Sequence, residues 1–343
     1  MNVDDHQRLA IWLEANSIAY GPVTDVCKLS GGTQNLLFRF SASGQSIVLR
    51  RPSQNARPGA DKTIGREARV VAALAGTQVP HARFRGFCND IEVIGSIFLL
   101  TDEVVGANVT VAMPETAAAN PKVRHAMGLA MVKGLVALAG VDHLAQGLED
   151  FGRLDNFIER QVPRWASQLD SYAEHARWPG PDALAGVFPL GLWLNANRPA
   201  QSKGGLMHGD YHIANVLFRD DGALAAILDW EMAALGDPLL DLGRLLAAWP
   251  DPDGSGPLSL KVTPWQGFPQ ADELIARYAE GTGRDLTDLL WYQILACYKL
   301  AIILEGTFAR ACAGLVERDV GVRLHNSALQ LIARATLWLE KNG

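Results

Sequence analysis

The stretch Leu206-Met-His-Gly-Asp-Tyr-His-Ile-Ala-Asn-Val-Leu-Phe218, followed by Ala225-Ala-Ile-Leu-Asp-Trp-Glu231, constrains this chain more than any other part of it. His208, Asp210 and Asn215 are polar residues set between apolar, strand-like neighbours, and Asp229 ends the apolar run Ala225 to Leu228. A carboxylate in such a place is costly to bury unless it is paired or binds a metal. Asp and Asn oxygens at two adjacent strand ends suit a hard cation such as Mg²⁺. Asp210, a further carboxylate close in sequence, is suited to take a proton from a hydroxyl. The fold must therefore hold short strands together with a polar loop at their ends.

Around this stretch the chain changes character. Asp4 and Asp5 predict the start of a helix carrying Leu9, Trp12 and Leu13 on one face. Strand-like texture follows at Val23 to Leu29, Asn35 to Phe40 and Ser46 to Arg50, separated by Ser30-Gly31-Gly32-Thr33 and by Ser43-Gly44, which predicts a β-meander. Thr63 to Leu74 reads as a helix, with two more strands near Arg83 to Phe87 and Ser96 to Asp102. From about residue 110 the pattern is helical: Pro121 to Ala139, Leu154 to Ala173, Asp182 to Leu194, Pro238 to Trp249, Asp272 to Ala279, Leu286 to Arg310 and Val320 to Lys341. Asp251 to Gly267, with its Pro and Gly, reads as a weakly structured surface loop.

Composition narrows the function classes. The 343 residues carry 31 Lys and Arg against 37 Asp and Glu, a formal charge of -6, which argues against gripping nucleic acid as the main task. The four cysteines are far apart and form no zinc pattern or disulfide framework, which suits a reducing cytoplasm. The amphipathic, acidic N-terminus lacks the features of a signal peptide. The longest apolar stretch, Leu289 to Leu304, contains Gln293 and Lys299 and reads as a buried helix, so no membrane partner is expected.

HGDxxxxN at 208–215 followed by the apolar-Asp at 229 resembles the aminoglycoside phosphotransferase and choline kinase type of family, which shares the protein-kinase-like fold. The resemblance implies an α+β, two-lobed fold: a small antiparallel β-sheet lobe, residues 1–104, and a large, mostly helical lobe, residues 105–343. It makes Asp210 the catalytic base, Asn215 a metal ligand and Asp229 the main metal ligand, with His208 holding the loop. Asp241, in Gly236-Asp237-Pro238-Leu-Leu-Asp241, would anchor that loop's backbone. Gly209 stands where protein kinases carry an Arg that senses a phosphorylated activation loop, and Asp229 to Asp237 leaves no room for a peptide-docking segment.

The small lobe would then grip the nucleotide, ATP with GTP left open, together with Mg²⁺. Gly31, Gly32 and Thr33 lie where kinases keep a glycine-rich phosphate loop, although two glycines in a hairpin also make an ordinary turn. GxxxxGK[ST] is absent, so the chain is not a Walker-type NTPase. Arg50 occupies the place of the kinase Lys, with Glu67 as its natural partner. Strand alternation lets only one of Arg50 and Arg51 face the cleft, and the family pattern selects Arg50. Backbone at Asp102 and Val104 would hold adenine at the hinge.

Gly147-Leu-Glu-Asp-Phe-Gly152, Ile158-Glu-Arg-Gln-Val162 with Trp165, Val48-Leu-Arg-Arg-Pro52 and Leu228-Asp-Trp-Glu231 are similar to the phosphotransferase domain found fused to some acyl-CoA dehydrogenases. The chain's length suits that domain standing alone. The implied acceptor is a small-molecule hydroxyl, anionic or hydroxyacyl-type, met by Arg160, Arg164, Trp165 and Glu231; solvated arginines and a core Trp165 are the other reading of those residues. A kinase-like fold that binds a nucleotide or acyl ligand without transfer, and an aminoglycoside or amino-alcohol kinase, are the alternatives. Oligomeric state is left open.

Overall fold

The computed structural model describes residues 3–29, 35–53, 59–258 and 261–342. Helix α1 (Val3–Ala15) opens with Asp4 and Asp5 in its first turn and buries Leu9 and Leu13. Strands β1 (Thr24–Leu29), β2 (Asn35–Ala42) and β3 (Gln45–Pro52) form the antiparallel meander. Ala42 pairs with Gln45 across Ser43-Gly44, both of which have positive φ, 52° and 70°. Two successive positive φ values are what a tight hairpin matching the strand twist requires. Helix α2 (Ala60–Ala73) follows, then β4 (Phe84–Cys88) and β5 (Phe98–Asp102). The sheet order is β1-β2-β3-β5-β4, so the last strand inserts between β3 and β4.

Side-chain alternation gives this sheet two working faces. Phe38, Phe40, Ile47, Leu49, Phe98 and Leu100 pack with Leu9 and Leu13 beneath α1. Ile97 and Leu99 pack with Ile64 and Ala68 of α2. Arg50, one residue beyond Leu49, is thereby turned away from the α1 core.

The rest of the chain builds the helical lobe: α3 (Glu115–Ala119), α4 (Pro121–Ala139), α5 (Phe157–Asp170), α6 (Val187–Ala196), α7 (Leu239–Ala248), α8 (Ala271–Thr282), α9 (Leu289–Cys312) and α10 (Arg318–Asn342). Between α6 and α7 lie four short strands, β6 (Gly205–Met207), β7 (Val216–Phe218), β8 (Leu224–Ile227) and β9 (Ala234–Gly236); β6 pairs with β9 and β7 with β8. Helix α9 is the central post, packed by α10, α7, α5 and α6. It is the one helix among the described residues long and apolar enough to cross a membrane, and 78% of its most apolar window is buried in the protein.

The lobes meet closely. Ala107 and Phe218 exchange backbone hydrogen bonds at 2.8 and 2.9 Å just after Gly106. From α2, Arg66 donates to the carbonyls of Phe151 (3.1 Å) and Ala233 (3.3 Å), and its guanidinium lies 4.0 Å from the Phe151 ring centre. Arg69 donates to Gly147 O at 2.8 Å and pairs with Asp150.

Two local expectations are corrected. Helix α6 begins at Val187 rather than near Asp182, because Gly186 takes φ 89° and Pro181–Ala183 forms a separate 3₁₀ turn. The stretch after Trp249 is not a loose insert: Trp265 and Phe268 are buried and stack with centroids 4.4 Å apart, and Trp249 meets Trp265 edge-on at 5.1 Å. The Pro and Gly residues shape this loop, while its aromatics hold it down.

Candidate active site

Strand β6 feeds directly into His208-Gly209-Asp210. Gly209 has φ +83°, and a Cβ there would stand 2.2 Å from the Met232 carbonyl oxygen. Only glycine fits both the torsion and the approach. Gly209→Ala is therefore expected to lower stability by at least ~1–3 kcal/mol, the usual range for a strained left-handed residue, and to displace Asp210. A melting midpoint equal to the parent's would show that this approach is dispensable.

Asp241, in the first turn of α7, accepts the backbone N–H groups of His208 (2.6 Å) and Gly209 (2.8 Å). Its carboxyl is pushed up by burial, against the pull of His208 and those two donors. His208 is fully buried. Its Nδ1 accepts from the Asp210 N–H at 3.3 Å, which leaves the ring hydrogen on Nε2 to be donated to Leu228 O at 2.8 Å. One ring thus ties the loop to the strand end that precedes Asp229.

Asp210 Oδ1 accepts from Arg244 Nε at 2.9 Å and faces Nη2 at 2.8 Å. Its Oδ2 lies 3.4 Å from His212 Nε2 and 3.3 Å from Asn215 Nδ2. Burial works against this charge, but Arg244 and then His212 hold the carboxyl well below the usual carboxylate range. Asp210 is ionised at neutral pH, with a third of its side chain exposed. Behind it, Lys299 of α9 donates to Gly209 O at 3.0 Å. Burial lowers the Lys299 ammonium to about 8, against the opposing pull of Asp210 and Asp241.

Asn215 and Asp229 flank the mouth of the β7–β8 hairpin, where Leu228 N–H donates to Asn215 O at 2.8 Å. Asn215 Nδ2 also donates to Asp210 O at 3.0 Å, so its Oδ1 is the atom left to face a cation. Asp229 takes a left-handed backbone, φ 62°, at the start of the 3₁₀ turn Trp230–Met232. Among the described residues no three His, Cys, Asp or Glu side chains converge as a metal cage. An amide oxygen plus a carboxylate is the sparse, hard-oxygen set that Mg²⁺ uses when phosphates complete its shell.

Arg50 reaches this mouth from β3. Its Nη2 lies 2.7 Å from Asp229 Oδ1 and 3.0 Å from Glu231 Oε2, and its Nε faces Glu67 Oε2 of α2 at 3.0 Å, a charge contact without hydrogen-bond alignment. Burial opposes the Arg50 cation, and Glu67, Asp229 and Glu231 more than offset this, so its pKa is raised. Burial pushes the Glu67 carboxyl up to about 7 despite Arg50. Arg51 points elsewhere, donating to Ile94 O at 3.0 Å and lying over the Phe38 ring.

The other residues singled out from the sequence divide into several cases. Gly31, Gly32 and Thr33 lie outside the described residues. The Asp102 N–H donates to Arg83 O at 2.9 Å and its carboxylate pairs with Arg85. Val104 makes no backbone hydrogen bond among the described residues. Glu231, expected on the acceptor side, instead joins Arg50 and accepts from Asn35 Nδ2 at 3.2 Å, because the 3₁₀ turn after Asp229 swings it to that side. Arg160 braces the start of α5 through the carbonyls of Arg153, Asp155 and Asn156. Trp165 is buried, with Arg164 5.0 Å and Lys299 5.5 Å from its ring centre. Sequence reasoning missed Arg244 and Lys299. Each is a cation among mostly apolar helix neighbours, Leu-Leu-Asp-Leu-Gly-Arg-Leu-Leu and Ala-Cys-Tyr-Lys-Leu-Ala, which was the available signal.

With this geometry in place, the comparisons are specific. The sequence profile described as "Phosphotransferase enzyme family" matches residues 25–291. Acyl-CoA dehydrogenase family member 11 of Gallus gallus is 33% identical over 301 residues, covering 84% of this chain and 37% of that protein. The chain spans 27% to 40% of the length of its curated acyl-CoA dehydrogenase relatives. Among solved structures, a putative aminoglycoside phosphotransferase from Ralstonia eutropha aligns with TM-score 0.77 and 29% identity, covering 96% of this chain and 98% of the other. An aminoglycoside phosphotransferase solved as a ternary complex with ADP and hygromycin B aligns with TM-score 0.58 and 17% identity over 97% of this chain and 98% of the other, a likeness of fold. These neighbours carry the same protein-kinase-like, two-lobed architecture.

Proposed function

Because this chain belongs to the phosphotransferase enzyme family, we propose that it transfers the γ-phosphoryl group of MgATP to a hydroxyl of a small molecule. The observation that carries the reading is the convergence of Asp210, Asn215, Asp229 and Arg50 at the mouth of one hairpin. Arg50 would meet the α and β phosphates, held in line by Glu67. Asn215 Oδ1 and Asp229 would hold Mg²⁺. When bound, that ion neutralises charge on the transferring phosphate. Asp210 Oδ2 would receive the acceptor's proton as the acceptor oxygen bonds to the γ-phosphorus and the bond to the ADP oxygen breaks. His208 and Asp241 would keep the loop still, so the chain supplies position and electrostatics rather than a covalent intermediate.

Arg244 pairs with Asp210, Lys299 bonds the Gly209 carbonyl behind it and Arg164 lies over Trp165, and this local excess of cations favours an anionic or acyl-linked acceptor over a polyamine. An ADP-release screen across hydroxy acids, hydroxyacyl-CoA esters, amino alcohols and aminoglycosides tests the reading: turnover confined to aminoglycosides would reverse the acceptor assignment. Arg50→Ala is expected to raise the KM for ATP by roughly 10-fold or more, with Arg50→Lys recovering part of the loss, since a charge-assisted contact to phosphate is removed. Steady-state kinetics with ATP varied reads this directly, and an unchanged KM would detach Arg50 from the nucleotide.

A further inference from the structure

A polar cavity lies away from the cleft, at the end of β6 opposite His208. It measures about 180 Å³ and is walled by the last turns of α4 and α8, the Lys203-Gly204 entry to β6 and Pro238 before α7. A single water needs only ~10–15 Å³, and drug-sized ligands begin at about 300 Å³, so the space suits a ligand of a few non-hydrogen atoms. Val136, Ala139 and Pro238 give it apolar walls, and Tyr278 lines it from α8. The Tyr278 side chain is fully buried, yet its hydroxyl has no hydrogen-bond partner among the described residues. Burial pushes the pKa of this hydroxyl up, so at neutral pH it keeps a proton to donate. A buried polar group left unpaired is rare and calls for a partner.

The charges around the cavity say which partner. Arg284, also on the wall, spends both Nη atoms on Asp237 at 2.6 Å each, which leaves its Nε–H. Asp237 is well supplied with donors: the Tyr292 hydroxyl (2.7 Å), the Lys203 N–H (3.0 Å) and the Leu239 N–H (2.9 Å) also point to it. The Lys203 ammonium, by contrast, has no partner among the described residues. With Arg284 and Asp237 cancelling, one positive charge is left over. Carbonyls at helix ends oppose an anion, but here three of them are already engaged. Val136 O accepts from Gly140 N–H (3.1 Å), Ala279 O from Gly283 N–H (2.8 Å) and Tyr278 O from the Thr282 hydroxyl (2.7 Å).

We propose that this cavity is a binding site for a short monocarboxylate, whose oxygens take hydrogen bonds from the Tyr278 hydroxyl, the Lys203 ammonium and Arg284 Nε. A single negative charge matches the one positive charge left over, and the apolar walls receive the alkyl chain. The site is separate from the cleft and does not depend on the kinase reading. Its occupant joins α4, α8 and the entry to β6, so binding stabilises the folded chain.

The test is a calorimetric titration of the whole chain with butyrate, with butyramide as its uncharged counterpart and with inorganic phosphate. Butyrate is expected to bind about 10-fold or more tightly than butyramide, the range of one charge-assisted hydrogen bond, and to raise the melting midpoint where butyramide does not. Tyr278→Phe should weaken butyrate binding by about 10-fold. Without butyrate it should melt at or above the parent's midpoint, because an unpaired hydroxyl has no bond to lose. Lys203→Met, which removes a cation that holds nothing else in the fold, should weaken binding by a similar factor. A lower ligand-free midpoint in Tyr278→Phe would mean that the hydroxyl is already served within the fold, and overturns the proposal. So does the absence of butyrate binding, butyramide or phosphate binding as tightly as butyrate, or binding that either variant leaves unchanged, as a carboxylate lodged in the cleft would show.

Discussion

Asp210→Asn is expected to lower kcat by roughly 10²–10⁴-fold, the usual contribution of a positioned general base. The change is nearly isosteric. The amide oxygen can still accept from Arg244, and the loop is held independently by Asp241 and by the His208 contact to Leu228 O. What is removed is the ability to take a proton. Nucleotide affinity should persist, because Arg50, Asn215 and Asp229 are untouched. Single-turnover kinetics beside an equilibrium nucleotide titration separates the two. Turnover at the parent rate would take Asp210 out of the proposed chemistry.

Asp229→Ala is the second large effect. It deletes the anionic ligand beside Asn215 and frees Arg50 to settle on Glu67 and Glu231. A metal bridge to phosphates is worth several kcal/mol, so affinity for MgATP should fall by about 100-fold or more. The residual binding should no longer respond to Mg²⁺. Calorimetric titrations with and without the ion read both quantities. An unchanged magnesium dependence would mean that the metal is held elsewhere.

The two-lobed fold was legible because its signals are local. The meander shows in period-2 alternation and in Ser43-Gly44, and α4 begins at Pro121 as read from the sequence; the structure adds that the Asn120 side chain caps it, accepting from Lys122 N–H at 2.9 Å. The polar loop from His208 to Asn215 stood out because polar residues interrupt apolar strands. Alternation along β3 let only one of Arg50 and Arg51 face the cleft, and the family pattern, not the alternation, selected Arg50. Arg244 and Lys299 were illegible as site residues for a different reason. Their roles depend on how α7 and α9 cross behind β6, a long-range relation that no local spacing encodes. The contact of Glu231 with Arg50 and Asn35 was not foreseen, because its direction follows the left-handed backbone at Asp229, which residue identity alone does not announce. The aromatic anchoring of the loop after Trp249 was hidden by its Pro and Gly content.

Helix α2 has a consequence for motion. Arg66 and Arg69 fasten it to the carbonyls of Gly147, Phe151 and Ala233 on the helical lobe, while Glu67 on the same helix faces Arg50. Swinging this helix outward would break those hydrogen bonds together, at about 0.5–1.5 kcal/mol each, and expose the Phe151 contact as well. It is held from both sides, since its Ile64 and Ala68 also pack with Ile97 and Leu99 beneath the sheet. A chain built this way has no inexpensive resting posture with α2 displaced.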